Sequence, residues 1–212
     1  MSGNGRHGGP GFVKSIARVL TVPLSVDIEG GYSQDPEQAA QNIDAAMAAG
    51  AVGINVEDGS AEPELLCRKI EAARRAAARR GVRLFINARV DVVLHGLVPA
   101  AQALDESLRR AALYRAAGAD GIFVPGVVDA AAIRTLAEQI GLPLNLLARP
   151  TLPGADALRA LGVRRLSAGS SIAQAAYGDT ARRMSAFLRS GLSTSVIADS
   201  AMSYPELNRL MS

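Results

Sequence analysis

The chain has 212 residues, enough for one hydrophobic core of ordinary domain size, and its 49% apolar content with 4% aromatics and no Trp describes helices packed on a sheet through Ala, Leu and Val. The formal charge of +3 comes from arginine, since Lys14 and Lys69 are the only lysines; with no interleaved aromatics, Arg74, Arg75, Arg79 and Arg80 read as a solvated outer helix face and not as a nucleic-acid surface. A lone cysteine, Cys67, excludes an intrachain disulfide, no apolar run is long enough to span a membrane, and the polar, glycine-rich leader 1–11 lacks a secretory core, so a cytoplasmic, reducing setting is expected.

After the leader, which is expected to be flexible, the chain reads as a single domain over 12–212. Phe12 to Leu20 has helical spacing, and Pro23 separates it from a strand at 24–28. Asp35-Pro36-Glu37 supplies an N-cap, a first-position proline and a first-turn acid for a helix that stops at Gly50. A strand at 52–56, a helix from Glu62-Pro63-Glu64 to Arg80 and a strand at 83–88 follow. Pro99 to Ala117 is helical, and 120–124 is a fourth strand. Asp129 caps a helix to Ile140, 143–147 is a fifth strand, 153–161 a helix, 163–167 a sixth strand, and 169–190 a long helix. Ser203-Tyr204-Pro205-Glu206 caps a terminal helix over 204–211.

Six strand–helix units in strict alternation require parallel strands with right-handed crossovers. An open doubly wound sheet and part of a (β/α)8 barrel both fit. Gly30-Gly31 lacks the third glycine and the spacing of a dinucleotide loop, and functional residue types at nearly every strand end favour the barrel. The first three strands end in charge at Asp27 and Glu29, at Glu57 and Asp58, and at Arg89 and Asp91. Side chains at the carboxyl ends of parallel strands converge on the mouth of such a fold. Acidic groups facing an arginine there suit a divalent cation holding a small anionic substrate. Asp58 and Asp91 are ambiguous between that site and holding the next loop, and neither is assigned to the site. Arg89 has an alternative as an ion-pair partner of Glu57 or Asp91. Asn55, Asn87 and Asn145 alternate with apolar residues and point their amides inward, toward each other or toward substrate; Asn55 and Asn145 are the candidate substrate contacts. Cys67 reads as an inert buried thiol, and His7 and His95 lack partners at metal-ligand spacing.

The segments 26–32 (VDIEGGY), 53–58 (GINVED), 85–91 (FINARVD), 119–125 (ADGIFVP), 143–147 (PLNLL) and 163–170 (VRRLSAGS) together resemble the isocitrate lyase/phosphoenolpyruvate mutase superfamily. The resemblance implies a (β/α)8 barrel with Mg2+, or Mn2+, as cofactor. It also implies a lyase or mutase acting on a C–C or P–C bond of a small 2-oxo acid, carboxylated adduct or phosphonate through a metal-stabilised enolate. It carries Asp27 onto the principal metal-binding and catalytic carboxylate, Glu29 and Glu57 onto carboxylates that hold the metal through its waters, and Arg89 onto the catalytic, substrate-contacting arginine.

Two departures matter. The stretch after Glu57-Asp58 is Gly59-Ser-Ala-Glu-Pro63, without the lysine and cysteine of isocitrate lyases, so ordinary isocitrate lyase activity is not expected. An oxaloacetate-type decarboxylase or hydrolase, which needs no such acid, is the enzymatic alternative. Strand 24–28 also corresponds to the family's third, so the barrel is expected to be incomplete at its N-terminus and to open an apolar interior between edges at 24–28 and 163–167. A second subunit, giving a homo-oligomer, or the terminal segments would cover that opening. A catalytically silent relative serving as a binding or assembly subunit is the non-enzymatic alternative.

Overall fold

A computed structural model of the chain describes residues 10–197 and 202–211. Most of the expected leader therefore lies outside the described residues. Helix α1 runs Pro10–Ala17, starting and ending earlier than the spacing of Phe12 to Leu20 predicts. The strands are β1 (Leu24–Asp27), β2 (Ala51–Glu57), β3 (Phe85–Arg89), β4 (Gly121–Phe123), β5 (Leu144–Leu147) and β6 (Val163–Ser167). Between them lie α2 (Pro36–Ala48), α3 (Pro63–Arg80), a short α4 (Val92–His95), α5 (Ala103–Ala117), α6 (Ala130–Gln139) and α7 (Ala155–Ala160). These strands form one parallel sheet in sequence order, β1 to β6, as right-handed alternation requires. The chain divides into two compact units after Ser167. The second contains α8 (Ser171–Ser190) and α9 (Tyr204–Met211).

Helix boundaries follow the signals in the sequence. Asp35 caps α2 by accepting from the Glu37 amide, and Asp129 caps α6 by accepting from the Ala132 amide. Gly81 takes the left-handed conformation that ends α3, which a residue with a Cβ would adopt only at a cost. Helix α4 has no counterpart in the sequence reading. At four residues it is too short to show a periodicity.

One face of the sheet is apolar: Ile54, Val56, Ile86, Ala88, Ile122, Leu144 and Leu146 are buried with Ile43, Leu66, Ile70, Ala73, Ile133 and Leu136 of the covering helices. The other face carries most of the polar strand residues. Strand register sets Asp27 beside Asn55 and Asn87, and places Glu57, Arg89, Phe123, Asn145 and Arg165 in one row across β2 to β6. The expectation of an apolar interior is thus corrected to a mixed one: residues two apart share a face, and this face carries those polar groups together with Phe85, Phe123 and Leu147.

That inner face is concave. The Arg165 guanidinium of β6 donates to Asn55 Oδ1 of β2 at 3.1 Å. In a flat sheet those strands would stand about 19 Å apart, well beyond the reach of an arginine. The sheet is therefore curled, as in a (β/α) barrel with strands missing from its circle.

The α3 arginines are more engaged than a solvated face implies. Arg74 donates to the Gly118 and Leu84 carbonyls and pairs with Asp120, Arg75 pairs with Glu37, and Arg80 grips Asp44 through Nε and Nη2. They clasp α3 to its neighbours. Cys67 is half-buried, and burial pushes its thiol up. Among the described residues no helix is long and apolar enough to cross a membrane.

Candidate active site

The site is built at the carboxyl ends of β1, β2 and β3. Asp27 ends β1 with an exposed side chain whose Oδ1 accepts the Glu29 amide at 3.0 Å. That bond starts a tight turn in which Glu29 (φ 50°), Gly31 (φ 82°) and Tyr32 (φ 56°) all have positive φ. Positive φ is costly for Glu and Tyr, so the surrounding structure must hold them there. The Gly31 amide donates back to the Ile28 carbonyl, Asn42 Nδ2 of α2 donates to the Gly31 carbonyl at 2.9 Å, and Lys69 Nζ of α3 donates to the Gly30 carbonyl at 2.7 Å. The Glu29 carbonyl accepts the Glu57 amide, tying the turn to the end of β2.

Glu57 and Arg89 are register partners, and Arg89 Nη1 lies 2.6 Å from Glu57 Oε2. Arg89 Nε donates to Asp91 Oδ1 at 2.7 Å, and its guanidinium carbon sits 5.9 Å from the Phe123 ring centre. Arg89 is therefore the ion-pair partner of both Glu57 and Asp91, and these bonds fix the direction of its fork. Burial raises the Glu57 carboxyl above its ordinary value; Arg89 opposes this, while Asp91, Asp27 and Glu29 add to it. Burial likewise raises Asp91, which is fully buried and whose Oδ2 has no hydrogen-bond partner.

Asp58 stands one residue beyond Glu57 and faces away from this group. It accepts the Asp91 amide at 2.9 Å, Arg110 Nη1 at 2.9 Å and the Tyr114 hydroxyl at 2.6 Å. It joins the β2–α3 loop, the β3–α4 loop and α5 in one buried network. The loop-holding alternative therefore describes Asp58, and Asp91 holds Arg89.

Asn55 and Asn145 both lie on the inner face. Asn55 Oδ1 accepts from Asn87 Nδ2 at 2.8 Å as well as from Arg165. Asn145 Oδ1 accepts the Ser167 hydroxyl at 3.0 Å, while its buried Nδ2 has no partner. Sequence reasoning missed Lys69 and Arg165. Lys69 was detectable, since Leu66, Lys69, Ile70 and Ala73 fall on one helical stripe that is buried. Arg165 was detectable as the second member of the Arg164-Arg165 pair, which alternation turns inward.

Among the described residues no three His, Cys, Asp or Glu side chains form a group that could hold an ion between them. Mg2+ retains several waters and needs only one or two carboxylates. Asp27 engages one oxygen with an amide, and Asp27 and Glu29 act on Glu57 through their charge. This set of hard, mutually repelling oxygen donors fits a hydrated divalent ion, which would relieve the repulsion.

A curled parallel sheet with acids and a braced arginine at its carboxyl rim defines the class of (β/α)-barrel folds, whose functional residues stand at that rim. Within that class, the chain belongs to the phosphoenolpyruvate phosphomutase family, whose model matches residues 11–188. It is 41% identical over 151 residues to an uncharacterised protein of Mycobacterium tuberculosis, covering 69% of this chain and 54% of that protein. It is 31% identical over 150 residues to oxaloacetate decarboxylase of Rhodopseudomonas palustris, covering 65% and 49%. The chain thus spans about half the length of these curated relatives. Among solved structures, a lyase/mutase-like protein of Burkholderia cenocepacia superposes with a TM-score of 0.85 at 30% identity, covering 96% of this chain and 74% of the other. Phosphonopyruvate hydrolase in complex with oxalate and Mg2+ superposes with a TM-score of 0.77 at 26% identity, covering 95% and 73%.

Proposed function

We propose that this chain is a Mg2+-dependent lyase or mutase acting on a C–C or P–C bond next to the 2-oxo group of a small anionic acid. The observation that carries the proposal is the Arg89 guanidinium, held by Glu57 and Asp91 in the row next to the exposed Asp27. Asp27 would hold the ion directly, with Glu29 and Glu57 holding it through water. When bound, the ion supplies Lewis-acid polarisation of the 2-oxo oxygen. Arg89, already paired, keeps further N–H donors for the substrate carboxylate and fixes the acid's orientation. Asp91 and Glu57 prevent the fork from rotating, so the charge that develops as the bond breaks meets donors already in place.

The oxaloacetate decarboxylase reading has one specific observation in its favour. The β2–α3 connection, 58–62, is short and offers no lysine, cysteine or histidine as a specialised acid. Loss of CO2 beside a polarised 2-oxo group needs none at the bond that breaks.

Calorimetry with Mg2+ and oxalate, a planar mimic of the 2-oxo acid, tests the site. Coupled binding that Asp27→Ala abolishes is the expected result. Absence of coupled binding in the unsubstituted chain would leave the silent binding-subunit reading in its place. The proposal includes a homo-oligomer. Ile172, Tyr177 and Leu188 of α8, and Leu210 and Met211 of α9, are more than two-thirds exposed, an arrangement suited to burial against another copy. A monomeric mass in light scattering would remove that part.

A further inference from the structure

The inner face of the sheet has two chemically opposite ends. The Asp27, Glu29 and Glu57 end is acidic, and Arg89 adjoins it. Phe123 follows in the same row, and beyond Phe123 stand Asn145 and Arg165, on β5 and β6. Among the described residues Arg165 has no carboxylate partner. Its one hydrogen bond goes to the neutral Asn55 amide oxygen, and the side chain is exposed. Asn145 is buried; its oxygen is taken by Ser167, and its Nδ2 donor points at nothing. Buried amide donors are nearly always satisfied, so the unsatisfied donor of Asn145, the register partner of Arg165, calls for an acceptor. Both groups offer only N–H donors in their free positions, which selects an anion.

We propose that Arg165, with Asn145, anchors the remote anionic group of a 2-oxo acid whose reactive end lies against Asp27 and Arg89, making Arg165 a specificity-determining residue. The inference rests on the function proposed above and extends it. A guanidinium that bridges β6 to β2 across the concave face lies close to the Asp27 row, since Asn55 is the register partner of Asp27. A carboxylate, sulfonate or phosphonate one or two bonds from the 2-oxo carbon can then reach Arg165 while the other end stays at Arg89. A mono-anionic acid would leave both donors empty. The competing role for Arg165 is purely structural: a strut that keeps the sheet curled.

The test measures equilibrium binding to the full chain, with Mg2+ present, of three probes: oxalate, pyruvate and 3-sulfonopyruvate. Oxalate and pyruvate occupy the reactive end alone, and the sulfonate adds a permanent remote charge. The unsubstituted chain should bind 3-sulfonopyruvate about ten- to a hundredfold more tightly than pyruvate, the value of a charge-assisted hydrogen bond. Arg165→Met should erase that preference, keep oxalate affinity within about twofold and keep the thermal midpoint, and Arg165→Lys should restore part of it. Equal affinity for pyruvate and 3-sulfonopyruvate in the unsubstituted chain overturns the inference without any variant. An equal fall for oxalate and 3-sulfonopyruvate in Arg165→Met assigns Arg165 to the strut and overturns it too. Failure of the unsubstituted chain to bind any of the three overturns the proposed function itself, and this inference with it.

Discussion

Glu57 and Arg89 occupy paired positions on adjacent strands, and their side chains meet at 2.6 Å with both less than a quarter exposed. The pair does two things: it holds the guanidinium toward the rim, and it favours the charged form of a carboxylate whose ionisation burial and neighbouring acids oppose. Replacing Arg89 by Met would remove the substrate contact and the counter-charge together. Activity toward a 2-oxo acid should fall by about two to three orders of magnitude in kcat/KM, the usual loss of a preorganised charged donor. Arg89→Lys should recover little, because an ammonium cannot bridge Glu57 and Asp91 in one fixed plane. Steady-state kinetics of both variants against Asp91→Asn, which keeps the guanidinium but loosens it, would show whether placement or charge dominates. Wild-type kinetics in Arg89→Met would refute its role.

Asp58 gives a contrasting result, a stability effect without direct contact at the site. Its carboxylate is fully buried and satisfies an amide, a guanidinium and a hydroxyl from three segments. Asp58→Ala leaves the Asp91 amide, the Tyr114 hydroxyl and Arg110 Nη1 without their buried acceptor, Arg110 keeping Glu106 as its carboxylate partner, and should cost about 3–5 kcal/mol. Tyr114→Phe removes one hydrogen bond and should cost about 1–3 kcal/mol. Urea unfolding monitored by circular dichroism checks both. A loss below about 1 kcal/mol in Asp58→Ala would contradict the network.

Acid sensitivity follows from Glu106 at the start of α5. Arg109 and Arg110 both hydrogen-bond its carboxylate, which lowers its pKa from 4.5 to about 2 despite burial. A carboxylate whose folded value lies below its unfolded value binds fewer protons in the folded state. Its contribution is therefore complete above about pH 4.5 and is lost as pH falls toward 2. Thermal midpoints of the unsubstituted chain and Glu106→Gln should differ most at neutral pH and converge through that window. A difference that stayed constant down to pH 2 would contradict the assignment.

How much of this was legible in the sequence depends on whether a residue's role is local. Asp35, Asp129 and Gly81 announce helix ends through nearest-neighbour chemistry, so the alternation of elements, and with it the parallel sheet, could be read directly. Asp27, Glu57 and Arg89 were legible as strand-end charges, and the comparisons bear out the family. The polar groups of the inner face were harder to see. Gly53, Asn55, Asn87 and Gly121 interrupt apolar runs without breaking them, and only strand register shows that they share one side. Arg165 and Asn55 are 110 residues apart, and their contact depends on the curl of the whole sheet. The engagement of Asp58 with Tyr114 is of the same long-range kind. Helix α4 is set by the Arg89–Asp91 corner and not by any pattern of its own.

Lys69 brings the strain of the rim into a measurable form. Its ammonium is buried at 4% exposure, burial depresses its pKa, and it donates to the Gly30 carbonyl inside the turn that bears Glu29 and Tyr32. Beside it lies a cavity of about 210 Å3 lined by residues including Glu57, Ser60 and Leu65. A Glu and a Tyr at positive φ cost about 1–3 kcal/mol each, and that cost persists only where neighbours hold the backbone. Lys69→Met should keep the apolar stem and remove the bond, so the turn can relax toward negative φ. Relaxation would move Glu29 from its place beside Asp27 and Glu57, and Mn2+ affinity should fall by about tenfold, the scale of losing a supporting contact behind a metal ligand. The global unfolding energy should change far less, or even rise, because a buried ammonium is itself costly. Electron paramagnetic resonance of Mn2+ with parallel urea titrations separates the two effects. Unchanged Mn2+ affinity in a folded Lys69→Met variant would show that Asn42 and the Glu57 amide hold the turn without Lys69.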